Sequence, residues 1–517
     1  MTAVPDLILA LDNGTQSLRA LLFDRAGQLQ GKAAVALHYQ HPQQDRCELD
    51  PDQFWQALTV ACQRLWAQDP GWQARVAAVT LTTQRSTVIA LDEHDQPVHP
   101  AIVWMDQRRL RPDQIPAIGG LWELAFKLAG VSATVASFQA DCEAAWLRAE
   151  APAAYKRIRR YGLLSGFLSY KLTGEWRDAV GGQVGYLPFD FERQRWAGPR
   201  DWKWRACPIA PEWLPELVPA GGELGRITAA AAAATGVAAG TPLIAAAADK
   251  ACEVLGSGCL DPDIACLSYG TTATVNLSAD RHIAPLPFLP AYPAAAPGYW
   301  NAEYQIYRGY WLVSWFKEQF GQPEQARAAE EGGVPEQFFD ELVNAVPAGA
   351  EGLILQPYWS PGVREPGPEA RGAVIGWADH HTRAHLYRAI LEGIAYGLRQ
   401  GLENLERRGG VKVSRLRVSG GGSQSDAAMQ LTADIFQRPA ERLALYETSG
   451  LGAAINAAVG LGWHRDHASA MAAMTRVGRV FEPGADRSAR YEQLYQRVYK
   501  PLYRQLRPLY RELQALR

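Results

Sequence analysis

Twice in this chain an apolar run passes through a glycine-threonine turn and straight into a second apolar run. In the first copy, residues 7–11 and 20–23 flank Asp12-Asn13-Gly14-Thr15-Gln16-Ser17; in the second, residues 264–269 lead through Gly270-Thr271-Thr272 into Ala273-Thr274-Val275. Apolar runs around such a turn predict hairpins of buried strands. Asp12 can serve there simply by bonding its own backbone. It can equally belong to a phosphate site, where Gly14 lets the backbone approach a ligand, Thr15 and Ser17 donate to phosphate oxygens, and Asp12 holds a hydrated Mg2+. The second copy favours the phosphate reading, because two such units far apart suggest duplicated domains facing each other across a cleft.

With 517 residues the chain can build two or more domains with large cores, and its net charge of −2 offers no basic excess for nucleic acid or acidic lipid. A small-molecule partner is therefore expected, and a homodimer is compatible with such a chain. The seven cysteines are scattered, with no Cys-x-x-Cys pair, which points to reduced thiols in a cytoplasmic protein. No stretch reaches the length of a membrane span without Gly, Pro or charge.

Along the chain, helical spacing of Phe54, Leu58 and Leu65 predicts an amphipathic helix over 51–68. Residues 76–81 read as a strand running into Thr82-Thr83-Gln84-Arg85-Ser86-Thr87, and 88–91 as its continuation. Residues 101–108 read as a strand ending in Trp104, Asp106 and Arg108, 111–138 as helices forming a lid, and 140–148 and 163–175 as helices. The tryptophans of 186–219 read as packing for irregular loops. A buried strand over 241–248 delivers Asp249-Lys250, where Asp249 is either a helix N-cap or a general base. Further on come 353–358, the loop 359–367, a strand over 371–377, a helix over 385–396, a strand over 411–419, the loop Gly420-Gly421-Gly422-Ser423-Gln424 and a helix over 426–436. The glycine loop is either a tight turn or a place where bare backbone meets a ligand. The tail 490–517 carries tyrosines and leucines at helical spacing and reads as a helix packed on its own protein.

The run Asp12-x-Gly14-Thr15-x-Ser17-x-Arg19 resembles the first phosphate motif of the FGGY carbohydrate kinases, and Gly270-Thr271-Thr272 resembles the second. Residues 372–392 are similar to that family's second signature, with Trp377 in the place of an aliphatic residue. The first signature is matched only in part by Phe138–Leu147, where Glu143 stands at the usual lysine. The resemblance covers essentially the whole chain. It implies an α/β fold of two actin- and hexokinase-like (ribonuclease H-like) ATPase domains, 1–259 and 260–517, that close over the reactants.

By that resemblance Asp249 is the catalytic base, and Asp12 positions Mg2+. ATP is held by Asp12, Gly14, Thr15, Gln16, Gly270, Thr271, Gly420, Gly421 and Gly422. Gln84, Arg85, Trp104, Asp106 and Asp249 face the acceptor. The implied reaction is ATP-dependent phosphorylation of a terminal sugar hydroxyl. The acidic residue that follows Gln-Arg in glycerol kinases is Ser86 here, no tyrosine lies in 131–138, and the Gln-Met-His-Gly loop of xylulokinases is absent. Trp104-x-Asp106-x-Arg108 is similar to the xylulokinase pattern, so a pentulose such as D-xylulose is expected. The alternatives are glycerol or another polyol, and, in another class, an actin- or chaperone-like ATPase without a small acceptor.

Overall fold

The computed structural model describes residues 5–286, 289–362 and 366–516. The first hairpin is β1 (Leu7–Asn13) and β2 (Ser17–Asp24), paired so that Asp12 lies opposite Arg19. β3 (Leu29–Ala36) continues antiparallel beside β2, while β4 (Val76–Thr83) lies parallel to β1 on its other side. β5 (Glu223–Arg226) and β6 (Pro242–Ala245) complete the order β5-β6-β4-β1-β2-β3, with β6 parallel to β4 and β5 antiparallel to β6. β1 is apolar throughout because both its faces are covered. Leu7, Leu9 and Leu11 join the cluster around helix α1 (Pro51–Trp66), and Ile8 and Ala10 join the cluster on the opposite face.

The second half repeats this plan. β7 (Ile264–Tyr269), β8 (Ala273–Ala279), β9 (Trp300–Ile306), β10 (Arg415–Ser419), β11 (Ala440–Leu443) and β12 (Val477–Phe481) stand in the order β12-β11-β10-β7-β8-β9. Each pairing has the same sense as its counterpart in the first sheet: antiparallel across β7-β8-β9, parallel across β7-β10-β11, antiparallel at β12. A two-residue strand, Tyr292–Pro293, extends the β9 edge.

Two helices join the sheets. α2 (Asp249–Gly256) follows the first sheet but sends Val254 into a cluster with Ile264 and Cys266 of β7. α5 (Thr448–Gly460), from the second half, crosses back and packs Leu451, Ala454, Ile455 and Ala458 with Ile8, Ala10, Phe23 and Ile244 of the first sheet. Where α2 and α5 meet, glycines let the backbones touch. A Cβ added at Gly452 would stand 1.9 Å from Cys252 O, and one at Gly256 would stand 2.0 Å from Thr448 O. The far side of the second sheet is covered by α3 (Arg383–Gly409) and α4 (Asp426–Phe436), and the tail stacks Tyr495 on Tyr396 of α3 and packs Tyr499 against it at a tilt of 37°.

Two expected elements differ. The strand read over 101–108 is only Ala101–Ile102, because the chain turns at once, with Asp106 N donating to Val103 O at 2.8 Å. The helix read over 140–148 is split at Cys142 (φ −73°, ψ 117°) into Ser132–Asp141 and Glu143–Glu150. Of the loop read over 359–367, residues 363–365 lie outside the described residues. The tryptophans of 186–219 pack as expected, with Trp196 and Trp204 indoles bonded to Pro215 and Ala197 carbonyls. No helix among the described residues is long and apolar enough to cross a membrane.

Candidate active site

The carboxyl ends of three adjacent parallel strands, β1, β4 and β6, deliver Asp12, Gln84-Arg85 and Asp249 to one edge of the first sheet. In open α/β sheets this edge is where ligands bind. The second sheet does the same with β7, β10 and β11, whose ends carry Gly270-Thr271, the glycine loop and Glu447.

Asp12 is fully buried, and its Oδ2 meets Arg19 Nη2 at 2.7 Å. Burial pushes its pKa up to about 6 against the pull of Arg19, with Asp249, Glu447 and Glu253 adding to the rise. Its Oδ1 accepts no hydrogen bond, and neither side-chain atom of the neighbouring Asn13 has a partner. Buried polar atoms without partners are costly and mark a place for a ligand. Arg19 also reaches Glu447 Oε2 at 2.7 Å, and Lys32 Nζ holds Glu447 Oε1, so the first hairpin is tied to the start of α5 in the other half. Among the described residues no group of three or more His, Cys, Asp or Glu side chains is placed to hold a metal ion. A lone carboxylate suits Mg2+, which keeps several waters and takes phosphate oxygens as further ligands.

Asp249 opens α2, whose N-cap is Ala248. Its strand end is fixed from two sides: Thr82 Oγ1 donates to Ala247 O at 2.8 Å and Ala248 N to Gly181 O at 3.0 Å. Burial raises the pKa of Asp249, and Glu253 adds to the rise, while Lys250 and Arg85 oppose it. The only hydrogen bond to its carboxylate among the described residues comes from Lys250 N, at 2.7 Å to Oδ1. Lys250 turns away, its Nζ on Glu253 Oε2 and Ser268 Oγ, each at 2.7 Å. Glu253 in turn accepts from Ser419 Oγ at 2.6 Å, so α2 is held to β7 and β10 of the second sheet.

Around the first turn, Trp104 Nε1 donates to Thr15 Oγ1 at 2.9 Å and Tyr39 OH to Thr15 O at 2.7 Å. Gln84 Nε2 reaches Tyr39 OH at 3.2 Å, and its buried Oε1 has no partner. Arg85 spans the cleft to Glu303 Oε1 on β9, at 3.0 Å. Ser86 has φ 53°, and its hydroxyl donates to Val184 O at 2.9 Å. Asp106, expected to bind hydroxyls, accepts from Arg108 N and Nε through Oδ1 and from Cys47 N and Arg108 Nη2 through Oδ2. Those four bonds fill a carboxylate's lone-pair sites, so Asp106 instead fixes the turn that carries Trp104.

The glycines divide by what surrounds them. Gly420 (φ 81°) has the Tyr269 backbone 2.9 Å from where a Cβ would be, and Gly422 has the Tyr310 ring at 2.2 Å, so packing alone requires both. At Gly421 nothing lies within 4 Å, and at Gly14 and Gly270 the nearest atoms are at 3.5 and 3.6 Å. Those three bare backbones meet no need of the chain's own packing. Gln16 and Thr271 are exposed at their turns.

Glu143 lies beside Asp106 and Arg108 with Oε2 buried and unpartnered, and burial pushes its pKa up to about 8. A raised carboxyl pKa gives stability that is complete below the unfolded value and lost as pH rises towards the folded one. Each pH unit in that window removes up to about 1.4 kcal/mol. Glu143→Gln abolishes this titration, so its melting temperature relative to wild type should climb steadily from pH 5 to pH 8. A pH-independent difference would mean that Glu143 is ionised throughout.

Four contributors escaped the sequence reading: Tyr39, Lys250 as a link between the sheets, Glu303, and the Arg19–Glu447 bridge. The alternation of Asn301, Glu303 and Gln305 with Ala302, Tyr304 and Ile306 is visible in the sequence and signals a strand with one polar face, but not what that face meets.

Comparison with known proteins matches residues 7–256 to the N-terminal domain and 265–461 to the C-terminal domain of the FGGY family of carbohydrate kinases. The chain is 30% identical to a glycerol kinase of Dechloromonas aromatica, over 96% of this chain and 97% of that one. It is 29% identical to an uncharacterized sugar kinase of Escherichia coli (96% and 93%) and 28% identical to a xylulose kinase of Lactococcus lactis (96% of each). Among solved structures, a xylulose kinase from Rhodospirillum rubrum superposes with a TM-score of 0.79 at 25% identity (98% and 100% covered). A gluconate kinase from Lactobacillus acidophilus shares the fold at 0.80 and 21% (97% and 98%).

Proposed function

The chain belongs to the FGGY family of carbohydrate kinases, and from that premise we propose that it transfers the γ-phosphoryl group of ATP to the terminal hydroxyl of a pentulose such as D-xylulose. The observation that carries the kinase reading is the gathering of Asp12, Gln84-Arg85 and Asp249 at three neighbouring strand ends, with Arg85 and Lys250 bonded across to Glu303 and Ser268 of the second sheet. We place the division between the two domains at residues 259 and 260.

In this reading the turn at Gly14-Thr15-Gln16 and the turn at Gly270-Thr271 hold the phosphates from opposite sides, and the loop Gly420–Gly422 meets the adenosine through the bare backbone of Gly421. Asp12, with its partnerless Oδ1, holds Mg2+, which when bound neutralises phosphate charge. Gln84 Oε1 accepts from an acceptor hydroxyl, Arg85 donates to another, and the half-exposed Trp104 ring covers the carbon chain. Asp249 takes the proton of the terminal hydroxyl as its oxygen bonds the γ-phosphorus and the bond to the β,γ-bridging oxygen breaks. The products are ADP and a sugar phosphate, and the proton leaves Asp249 for solvent.

The test compares kcat/KM for xylulose, ribulose, erythritol, glycerol and gluconate. Xylulose or ribulose should lead. Glycerol ahead by tenfold or more would overturn the pentulose and keep the kinase. Strong ADP release that no sugar stimulates would instead favour an ATPase without a small acceptor.

A further inference from the structure

We infer that the acceptor pocket selects neutral polyhydroxylated substrates against sugar acids, and that Glu303, contributed by the second half, is the specificity-determining residue. The inference rests on the kinase reading above and narrows it to a substrate class.

Cation pairing is the first observation. Lys250 Nζ bonds Glu253 at 2.7 Å, Arg108 bonds Asp106 and Glu48, and Arg19 lies between Asp12 and Glu447. Arg85, the cation expected to touch the acceptor, is paired with Glu303, whose side chain is 4% exposed. Burial opposes the charge of Arg85, but Glu303, Tyr292 and Asp249 outweigh it and keep the guanidinium protonated. Asp249 remains as a carboxylate without an ion-pair partner among the described residues. An acceptor carboxylate would therefore meet, in these groups, cations whose charge is already paired with a carboxylate and one unpaired anion, Asp249. Removing a carboxylate from water without a partner is strongly unfavourable, whereas a hydroxyl can donate to one group and accept from another.

The second observation concerns where Glu303 comes from. Ala302, Tyr304 and Ile306 of β9 pack on the helix side of the second sheet. Alternation then sends Asn301, Glu303 and Gln305 to the other face, where Asn301 and Glu303 stand opposite Ser278 and Asn276 of β8. Glu303 accepts only from Arg85 among the described residues, through Oε1. Its Oε2 is thus left for a substrate hydroxyl, and Arg85 retains Nε and Nη1 for another. The first-half loop cannot supply this acid, since Ser86 has no carboxyl group and spends its hydroxyl on Val184 O. A charge pair that reads hydroxyls in this way loses both its donor and its acceptor geometry when one partner is neutralised.

The experiment measures binding of xylulose and gluconate by thermal shift and kcat/KM for both, in wild type, Glu303→Gln and Glu303→Ala. Wild type should bind xylulose and reject gluconate by tenfold or more. Both variants should lose about tenfold or more on xylulose, while the freed Arg85 raises the gluconate-to-xylulose ratio by a similar factor. Binding of a non-hydrolysable ATP analogue checks that each variant is folded. Wild type favouring gluconate, or a ratio that neither variant moves, overturns the inference. Should both variants unfold, the wild-type comparison decides the substrate class, and Glu303→Asp, which keeps the charge on a shorter stem, decides the residue: an unchanged gluconate-to-xylulose ratio and xylulose kcat/KM would overturn it. Acceptor binding without any phosphoryl transfer would overturn the kinase reading alone.

Discussion

Asp249→Asn should lower kcat by about 10²–10⁴ with nucleotide affinity little changed. The substitution keeps the shape of the side chain and removes its basicity. Its surroundings are prepared for the loss, because the hydrogen bond from Lys250 N can be accepted by an amide oxygen, so folding should survive. Burial already disfavours the charged form of Asp249, and deleting that charge relieves the site. A variant at least as stable as wild type but nearly inactive identifies a base. A near-normal kcat would reduce Asp249 to a residue that helps start α2. Fluorescence titration with ADP, alongside steady-state kinetics, separates the two outcomes.

Asp12→Ala should cost about 10²–10³ in kcat/KM for Mg2+-ATP while leaving sugar affinity within a fewfold of wild type. Asp12 sits at the end of β1, whereas the acceptor groups Gln84 and Arg85 end β4. Removing the carboxylate leaves Arg19 with Glu447 as partner, so no buried cation is stranded and the fold should persist. Titrating the rate with Mg2+ at fixed ATP gives the diagnostic readout. Loss of sugar affinity with unchanged Mg2+ dependence would move Asp12 out of the phosphate site.

What the sequence disclosed followed the range of each signal. The hairpins at Gly14 and Gly270, the strand leading to Asp249 and the helix Asp426–Phe436 are written in local alternation and turn chemistry, and each lies where that pattern puts it. Trp104–Arg108 misled because its residue types suit a strand, while the Asp106 carboxylate draws in Arg108 and Cys47 N and folds the segment into a turn. Arg85 and Glu303 lie 218 positions apart, and Arg19 and Glu447 lie 428 apart. No local pattern encodes such pairings; they exist only once two sheets and two crossing helices have set the distance between them. The same is true of Gly421, which only the surrounding packing distinguishes from its two neighbours.

The touching backbones at Gly256 and Gly452 make a rigid joint between α2 and α5. No side chain intervenes there to be compressed or to change rotamer, so the spacing of α2 and α5 is fixed at that point. Asp249 lies at the other end of α2, about 10 Å away along the helix. A bulkier residue at either glycine would have to push the two helices apart, and Asp249, on α2, would move with them.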